Sequence, residues 1–586
     1  MPLESSDGAV VEAEIGQLLA RSTRLGADDA PGAERYDASW SVAYHLAPER
    51  ANLLRHLDFS GLDVLELGAG MGGLSRFLSE SAERLEVVEG SEARLAALAR
   101  RLRDRTNWSG RAGRVAELAP TRRHDVVCVV GGRECAEPGG SSPGRSAGPA
   151  LAGFLDHAVR ALRDDGVLLL AIPNRFGLKY WSGAAADHSG RLYDGICGDP
   201  PDTAPRAFSL PALRGLLEGA GFASLDEYFP FPDHHLPASV LTRRFVDAYP
   251  QAAAALAIDR AVGNHGRPRV RQFPERLAAE GLAAADLLRP LANAFFLLAS
   301  RRADSATRRR LRRREIAGEI AWHYACRRRV PTRTVFAERD GAVTTRKEPL
   351  RASDPREVAF ADGDLQVRWR AGDGEPLVGG TSLRSSFARY AYFGDAAGCL
   401  AIVDDFVRRS FARWKDGDEL AGGALDAILT NAMAPFTLFD LEWTVAGTMP
   451  RSWFVLRNVV ALLADRELFP REPPFRSGAE LYAALCRRHR VVPRLADDVL
   501  LEARLQALMT DRPSVATHRQ ELDAALAAPI LGTLHPRVPT DEERLFLALL
   551  PSRPFRALSR LIGAARTRPW LGTAAKRALR LTRVVR

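Results

Sequence analysis

Apolar residues in the first third of the chain come in short runs set between polar stretches. Val64, Leu65 and Leu67 form one, Leu85, Val87 and Val88 a second, Val126 to Val130 a third and Val167 to Ile172 a fourth. The last two are continuous, which suits strands covered on both faces. At about residues 92–103 and 150–163 apolar positions recur instead at helical spacing. Strand alternating with helix predicts an α/β fold with a doubly wound, mainly parallel sheet, whose ligands bind beyond the carboxyl ends of the strands. Leu291-Ala-Asn-Ala-Phe-Phe-Leu-Leu-Ala-Ser300 reads as the last strand of this half.

The first run leads into chemistry. Asp63-Val-Leu-Glu-Leu-Gly-Ala-Gly-Met-Gly-Gly-Leu-Ser-Arg-Phe77 takes a strand through a glycine turn and straight into a helix. Gly68, Gly70 and Gly72, with Ala69 among them, let the backbone turn and approach a ligand closely. Gly68, Gly70 and Gly73 also satisfy the dinucleotide fingerprint, so the glycines by themselves leave NAD open. Glu66 stands two residues before the first glycine, where dinucleotide domains usually carry an apolar residue. With it the segment resembles motif I of class I S-adenosylmethionine methyltransferases, in which a carboxylate near the turn helps to hold the ligand's amino-acid end. Glu89 closes the second strand and can accept both ribose hydroxyls, a need common to SAM and NAD. The resemblance implies S-adenosyl-L-methionine as cofactor, held by Glu66, Gly68, Ala69, Gly70, Gly72 and Glu89.

Beyond the fourth run the chain reads Ile172-Pro-Asn-Arg-Phe-Gly-Leu-Lys-Tyr-Trp-Ser-Gly183, then Ala184-Ala-Ala-Asp-His-Ser-Gly190. Together with Tyr44-His-Leu-Ala-Pro-Glu-Arg-Ala-Asn-Leu-Leu54 and Phe229-Pro-Phe-Pro-Asp-His-His-Leu-Pro237, this resembles bacterial methyltransferase domains of cell-surface polysaccharide (O-antigen or capsule) clusters, often found with glycosyltransferases. The likeness covers about residues 36 to 240 and implies a Rossmann-like methyltransferase domain acting on a glycan or lipid-linked saccharide. Ala186 and Pro173 stand where relatives often carry Glu. Methyl transfer needs in-line placement above all, and a hydroxyl acceptor gains from a base of near-neutral pKa. His188 suits that role, with Asp187 to orient it, and Asn174, Lys179 and Tyr180 would surround the acceptor. The plainer alternative is that Asp187 and His188 tie down a long loop.

Composition narrows the class. The chain has 586 residues, enough for several units, and is 46% hydrophobic, enough for sizeable cores. Six cysteines are scattered without metal-type pairs, so neither a disulfide framework nor a zinc site is implied. The acidic start and the lack of any long apolar run lead us to expect a cytoplasmic protein. The net charge of +10 is carried by the tail, where nine Arg and one Lys fall between Arg553 and Arg586 with no acid. Apolar residues at helical spacing among them suit the surface of an anionic membrane, a solvated tail being the alternative. Nucleic acid is disfavoured, since no recognisable binding module accompanies the basic run.

From about residue 330 the texture changes to strand-like pieces followed by helices. Asp426 and Asn431 have the D-x4-N spacing of a kinase catalytic loop, and Asp440 follows as a metal-binding aspartate would on a strand. This resembles the aminoglycoside-phosphotransferase and choline-kinase branch, in which Lys347 would be the phosphate-binding lysine. The residues before Asp426 are Gly422-Gly-Ala-Leu and not His or Arg, and an accessory α+β domain is the alternative. The expected organisation is a flexible segment over 1–35, a methyltransferase domain over 36–300, a basic helical linker over 301–330, a kinase-like or accessory domain over 331–470, a helical region over 471–550 and a basic amphipathic tail over 551–586.

Overall fold

Alternate residues of the apolar runs enter two different cores. Leu65, Leu67, Val127, Val129, Leu168 and Leu170 join one, while Val64, Val126, Cys128, Val167 and Leu169 join the other. Strands with that pattern must be covered on both faces, and the computed structural model shows them so. It describes residues 9–36, 38–113, 123–131, 147–186, 190–198, 207–258, 269, 271–351, 353–468 and 475–530. Asp187, His188 and the basic tail therefore lie outside the described residues.

The strands are β1 (Asp63–Leu67), β2 (Arg84–Glu89), β3 (Trp108–Ala112), β4 (His124–Val130), β5 (Leu162–Pro173), β6 (Ser224–Phe231), β7 (Ser239–Thr242), β8 (Ala294–Ser300), β9 (Glu319–Ala325), β10 (Thr332–Arg339), β11 (Ala342–Pro349), β12 (Glu357–Asp362), β13 (Leu365–Arg370) and β14 (Asp373–Pro376). Twelve of them form one sheet in the order β14-β11-β10-β9-β7-β6-β8-β5-β4-β1-β2-β3. From β3 to β5 neighbours run parallel; from β5 through β8 to β14 every pair is antiparallel. The chain order reverses at β1, which lies between β2 and β4, so the binding crevice is expected at its carboxyl end.

Several expectations need correction. The strand expected at 291–300 is β8, which lies between β5 and β6 in the sheet. The expected helical linker does contain helices Ala306–Leu311 and Arg313–Ile316, but its remainder, Glu319–Ala325, is β9 and carries the sheet onward. The amino-terminal segment expected to be flexible carries helix α1 (Ala9–Arg21), whose Ile15 and Leu19 pack with Ala97. Edge strand β3 carries no apolar pattern that would place it in the sequence, because its residues are largely exposed.

Helix α2 (Trp40–Leu46) is capped by Ser39, whose hydroxyl accepts the Val42 N–H. It and the short 3-10 turn Pro48–Leu53 cover the β1 turn. Helices α3 (Ser75–Ser81) and α4 (Glu92–Arg101) follow β1 and β2, and α5 (Ala147–Ala161) precedes β5. Beyond the sheet, β12 and β13 pair with a short strand, Trp443–Val445. A third core built on Trp369, Phe387, Phe406, Trp443 and Trp453 holds this region to helices Arg451–Leu463, Gly478–Arg488 and Leu495–Met509. Among the described residues, no helix is long and apolar enough to cross a membrane.

Candidate functional site

The turn after β1 takes the course the glycines predict: Gly68, Gly70 and Gly72 have φ of 75°, 55° and 81°, a region that side chains resist. Space is also short. A Cβ on Gly70 would lie 3.3 Å from His45 Cε1, and one on Gly72 would lie 3.1 Å from Leu98 Cγ.

The two predicted acids flank this turn. Glu66 points from β1 toward α3, where the Ser75 hydroxyl donates to its Oε2 at 2.6 Å. Burial pushes the Glu66 carboxyl up to about 7, although the Ser75 hydrogen bond and the Arg50 charge pull the other way. Glu89, at the end of β2, accepts the Gly70 N–H at 2.7 Å and the Ser91 N–H at 3.1 Å. It thus braces the glycine turn, and each oxygen keeps a lone pair for a further donor such as a ribose hydroxyl. These residues fit an amino-acid-bearing nucleoside: a left-handed glycine turn, a buried acid beside it and a second acid at the tip of the next strand.

On the acceptor side, the structure describes Asn174, Lys179 and Tyr180 of the residues expected there. Asn174 is fully buried and committed to its own loop: Nδ2 donates to the carbonyls of Pro290 and Ala292, each at 2.7 Å, and Oδ1 accepts the Phe176 N–H. It fastens the segment after β5 to the residues just before β8, and both of its amide N–H donors are spent there. Lys179 is buried too, with Nζ 3.4 Å from Asp233 Oδ2 and 4.9 Å from the centre of the Tyr180 ring. Tyr180 is itself buried.

Sequence reasoning gave no role to the residues that complete the site. Asp233 also lies 3.2 Å from His235 Nδ1 and accepts the His235 N–H at 2.9 Å. The His235 ring packs against Trp40 and Tyr44 of α2. Arg50 stacks on the Tyr44 ring at 4.3 Å and donates to the His235 carbonyl at 3.0 Å. Three separated motifs thus converge on the glycine turn. The available signal was their content, with Tyr44-His45, Arg50 and Asp233-His-His235 set among apolar residues.

A second cluster forms in the carboxyl-terminal half. Lys347, on β11, places Nζ 2.5 Å from Asp440 Oδ1 and 2.7 Å from Glu442 Oε2, and Trp369 Nε1 donates to the same Glu442 oxygen at 2.9 Å. Asp426 Oδ2 accepts the N–H groups of Glu442 and Trp443, and Asn431 Nδ2 donates to the carbonyl of Asp426 at 3.1 Å. Asp426, Asn431 and Asp440, singled out by spacing, and Lys347, named from the resemblance, therefore lie together. Asp440 is not on a strand as expected; it occupies a loop with φ of 58°. Burial, with Glu442 and Asp440 nearby, pushes Asp426 up to about 7. For Lys347, the two carboxylates outweigh burial and hold the ammonium charged. Thr334 and Thr345 line the small cavity beside it.

No family model matches the chain, and no curated protein matches it. Solved structures do. The chain is similar to a SAM-dependent methyltransferase from Thermotoga maritima, described as a possible histamine N-methyltransferase, at 13% identity over 49% of this chain and 100% of that one, with a TM-score of 0.26. A SAM-dependent methyltransferase from Archaeoglobus fulgidus matches at 14% identity over 45% of this chain and 96% of its own, with a TM-score of 0.27. The N-methyltransferase NodS from Bradyrhizobium japonicum WM9, in complex with S-adenosyl-L-homocysteine, matches at 16% identity over 28% and 74%, with a TM-score of 0.21.

Proposed function

We propose that the protein is a SAM-dependent methyltransferase that methylates an oxygen of a cell-surface glycan precursor or its phosphate, and so takes a glycan or lipid-linked saccharide as acceptor. The observation that carries the reading is the left-handed turn at Gly68, Gly70 and Gly72, set between Glu66 and Glu89 at the switch point of the sheet. The antiparallel β8 beside β5 supports it further, since a dinucleotide sheet built from two parallel halves would continue in parallel there. Glu66, the glycine turn and Glu89 would hold the cofactor, which would supply a sulfonium methyl group to the acceptor oxygen and leave as a thioether, and a hydroxyl acceptor's proton would pass to a base. His188 with Asp187 is one candidate for that base; His235, held by Asp233, is the other.

Calorimetric titration of the full chain with S-adenosylhomocysteine, with NAD as competitor, tests the cofactor. Micromolar binding unaffected by NAD is expected. A folded protein that does not bind would leave the alternative, a module that recruits glycosyltransferases at a membrane through its basic tail.

The second cluster favours one additional reading, a bifunctional methyltransferase and kinase. Its support is the meeting of Lys347, Asp426, Asn431 and Asp440, the lysine, base and metal-holding set that phosphotransfer requires. Titration with magnesium ADP tests it: binding lost in Asp440→Asn supports the reading, and no binding to the wild-type protein removes it.

A further inference from the structure

The amino-terminal segment is a cap seated on the glycine turn. Its helices α1 and α2 and the chain between them build a small core with Ile15, Leu19, Tyr36, Val42 and Leu46, and Met71 of the turn is wholly buried inside it. A Cβ on Gly73 would lie 3.3 Å from the His45 carbonyl oxygen, as close as one on Gly70 would lie to the His45 ring. Cap and turn share one core, so the turn opens fully only when the cap lifts. Two sets of contacts hold the cap down. From the first half, Arg94 of α4 pairs with Glu12 at 2.8 Å and Arg101 donates to the His45 carbonyl at 2.5 Å. The other set comes from more than three hundred residues away in sequence. Arg351, two residues past β11, donates to Asp29 Oδ1 at 2.7 Å and to the Asp28 carbonyl at 3.3 Å. Arg327, two residues past β9, sets its guanidinium 5.0 Å from the centre of the Tyr36 ring and is itself held by Asp511 at 2.5 Å.

The chemistry of these distant contacts suits a catch that releases. Arg351 is 31% exposed and Asp29 14%, so their ion pair is only half desolvated and is worth little by itself, as is a cation over an aromatic face. Asp28 continues the chain of charges inward, pairing at 2.6 Å with Arg55, which follows the 3-10 turn after α2. We infer that the carboxyl half latches the cap: Arg351 and Arg327 set how often the glycine turn opens, and so how fast the cofactor arrives and its spent form departs. The inference rests on the methyltransferase reading and deepens it, by naming what governs access to that site. It gives the carboxyl half a task independent of any kinase role for Lys347, which lies four residues before Arg351 on the same strand's path out of the sheet.

Two readouts on the full chain test the latch. Amide exchange without added ligand, followed by mass spectrometry, reports opening of peptides that span residues 40–54 and 68–74. Stopped-flow mixing with S-adenosylhomocysteine, followed by tryptophan fluorescence with Trp40 of α2 as the local probe, reports association and dissociation. Arg351→Ala is expected to speed the exchange and both ligand rates by about fivefold, the worth of a half-buried ion pair. Arg327→Met is expected to give about threefold, and the two together about fifteenfold. Kd should stay within about twofold throughout, because a gate speeds arrival and departure alike. Arg351→Lys, which keeps the charge, should stay within about twofold of wild type in every rate. Thermal unfolding shows whether each variant is folded, and where Arg351→Ala is not, Arg327→Met decides. Unchanged exchange in the folded variants overturns the latch. So does a Kd that weakens while association is unchanged, which marks a contact and not a gate. Failure of the folded wild-type protein to bind S-adenosylhomocysteine overturns the cofactor reading, and the amide exchange then decides the latch by itself.

Discussion

Two buried cations lie against one sheet and are treated in opposite ways. Lys347 closes directly on Asp440 and Glu442, so the chain itself supplies its counter-charge. Arg50 lies near Glu66 without touching it, and its hydrogen bonds go to an uncharged carbonyl and a hydroxyl. Desolvation burdens both; in one cluster carboxylates of the chain compensate, while in the other the cation touches only uncharged groups. The lesson is that burial alone does not force an ion pair, and that what touches a buried charge decides how much of its cost the chain meets by itself. The lysine cluster therefore has to be opened before any further charged group can reach Lys347.

The contrast can be broken at its strongest point by Gly70→Arg. A side chain there is strained by the left-handed backbone and collides with His45, so S-adenosylhomocysteine affinity should drop by at least about a hundredfold in calorimetry. Next in size is Lys347→Met, which strands two acids. A loss of about 2–3 kcal/mol is expected in urea unfolding, below the full figure for a buried pair because Asp440 is partly exposed. Third is pH. Glu66 titrates near 7 in the empty site, so below that pH it is neutral and must release its proton before it can pair with an ammonium. Affinity should rise about tenfold from pH 6 to pH 8, and Glu66→Gln should flatten the profile. Smallest, and opposite in sign to the lysine, is the stability of ligand-free Arg50→Met. Removing an unpaired buried charge should leave the unfolding free energy unchanged or raise it by about 1 kcal/mol.

The β1 turn was legible because its causes are local: apolar residues before, glycines within and an acid on each side are all visible in thirty residues of sequence. The same holds for the meeting of Asp426, Asn431 and Asp440, whose spacing a short loop preserves. What escaped depends on distant backbone. Asn174 looks like a substrate ligand until the carbonyls of Pro290 and Ala292, more than a hundred residues away, are found to consume its amide. Strand β9 follows an arginine-rich helix, and Glu-Ile-Ala-Trp-His-Tyr-Ala reads equally well as its continuation. Only pairing with β7 on one side and β10 on the other decides for a strand. Arg50 could be seen in its motif, yet whether a buried arginine has a partner is a question that sequence spacing does not answer.

The pairing of β7 with β9 also governs how the protein can be taken apart. A gene divided between residues 300 and 319, where composition invites the cut, would leave a raw hydrogen-bonding edge on each fragment, along Ser239–Leu241 in one and Ala321–His323 in the other. Such edges seek strangers when their own neighbour is missing. Separately expressed halves should therefore clump, and co-expressed halves should rejoin. Whatever each half does, the two are inherited, made and lost as one piece.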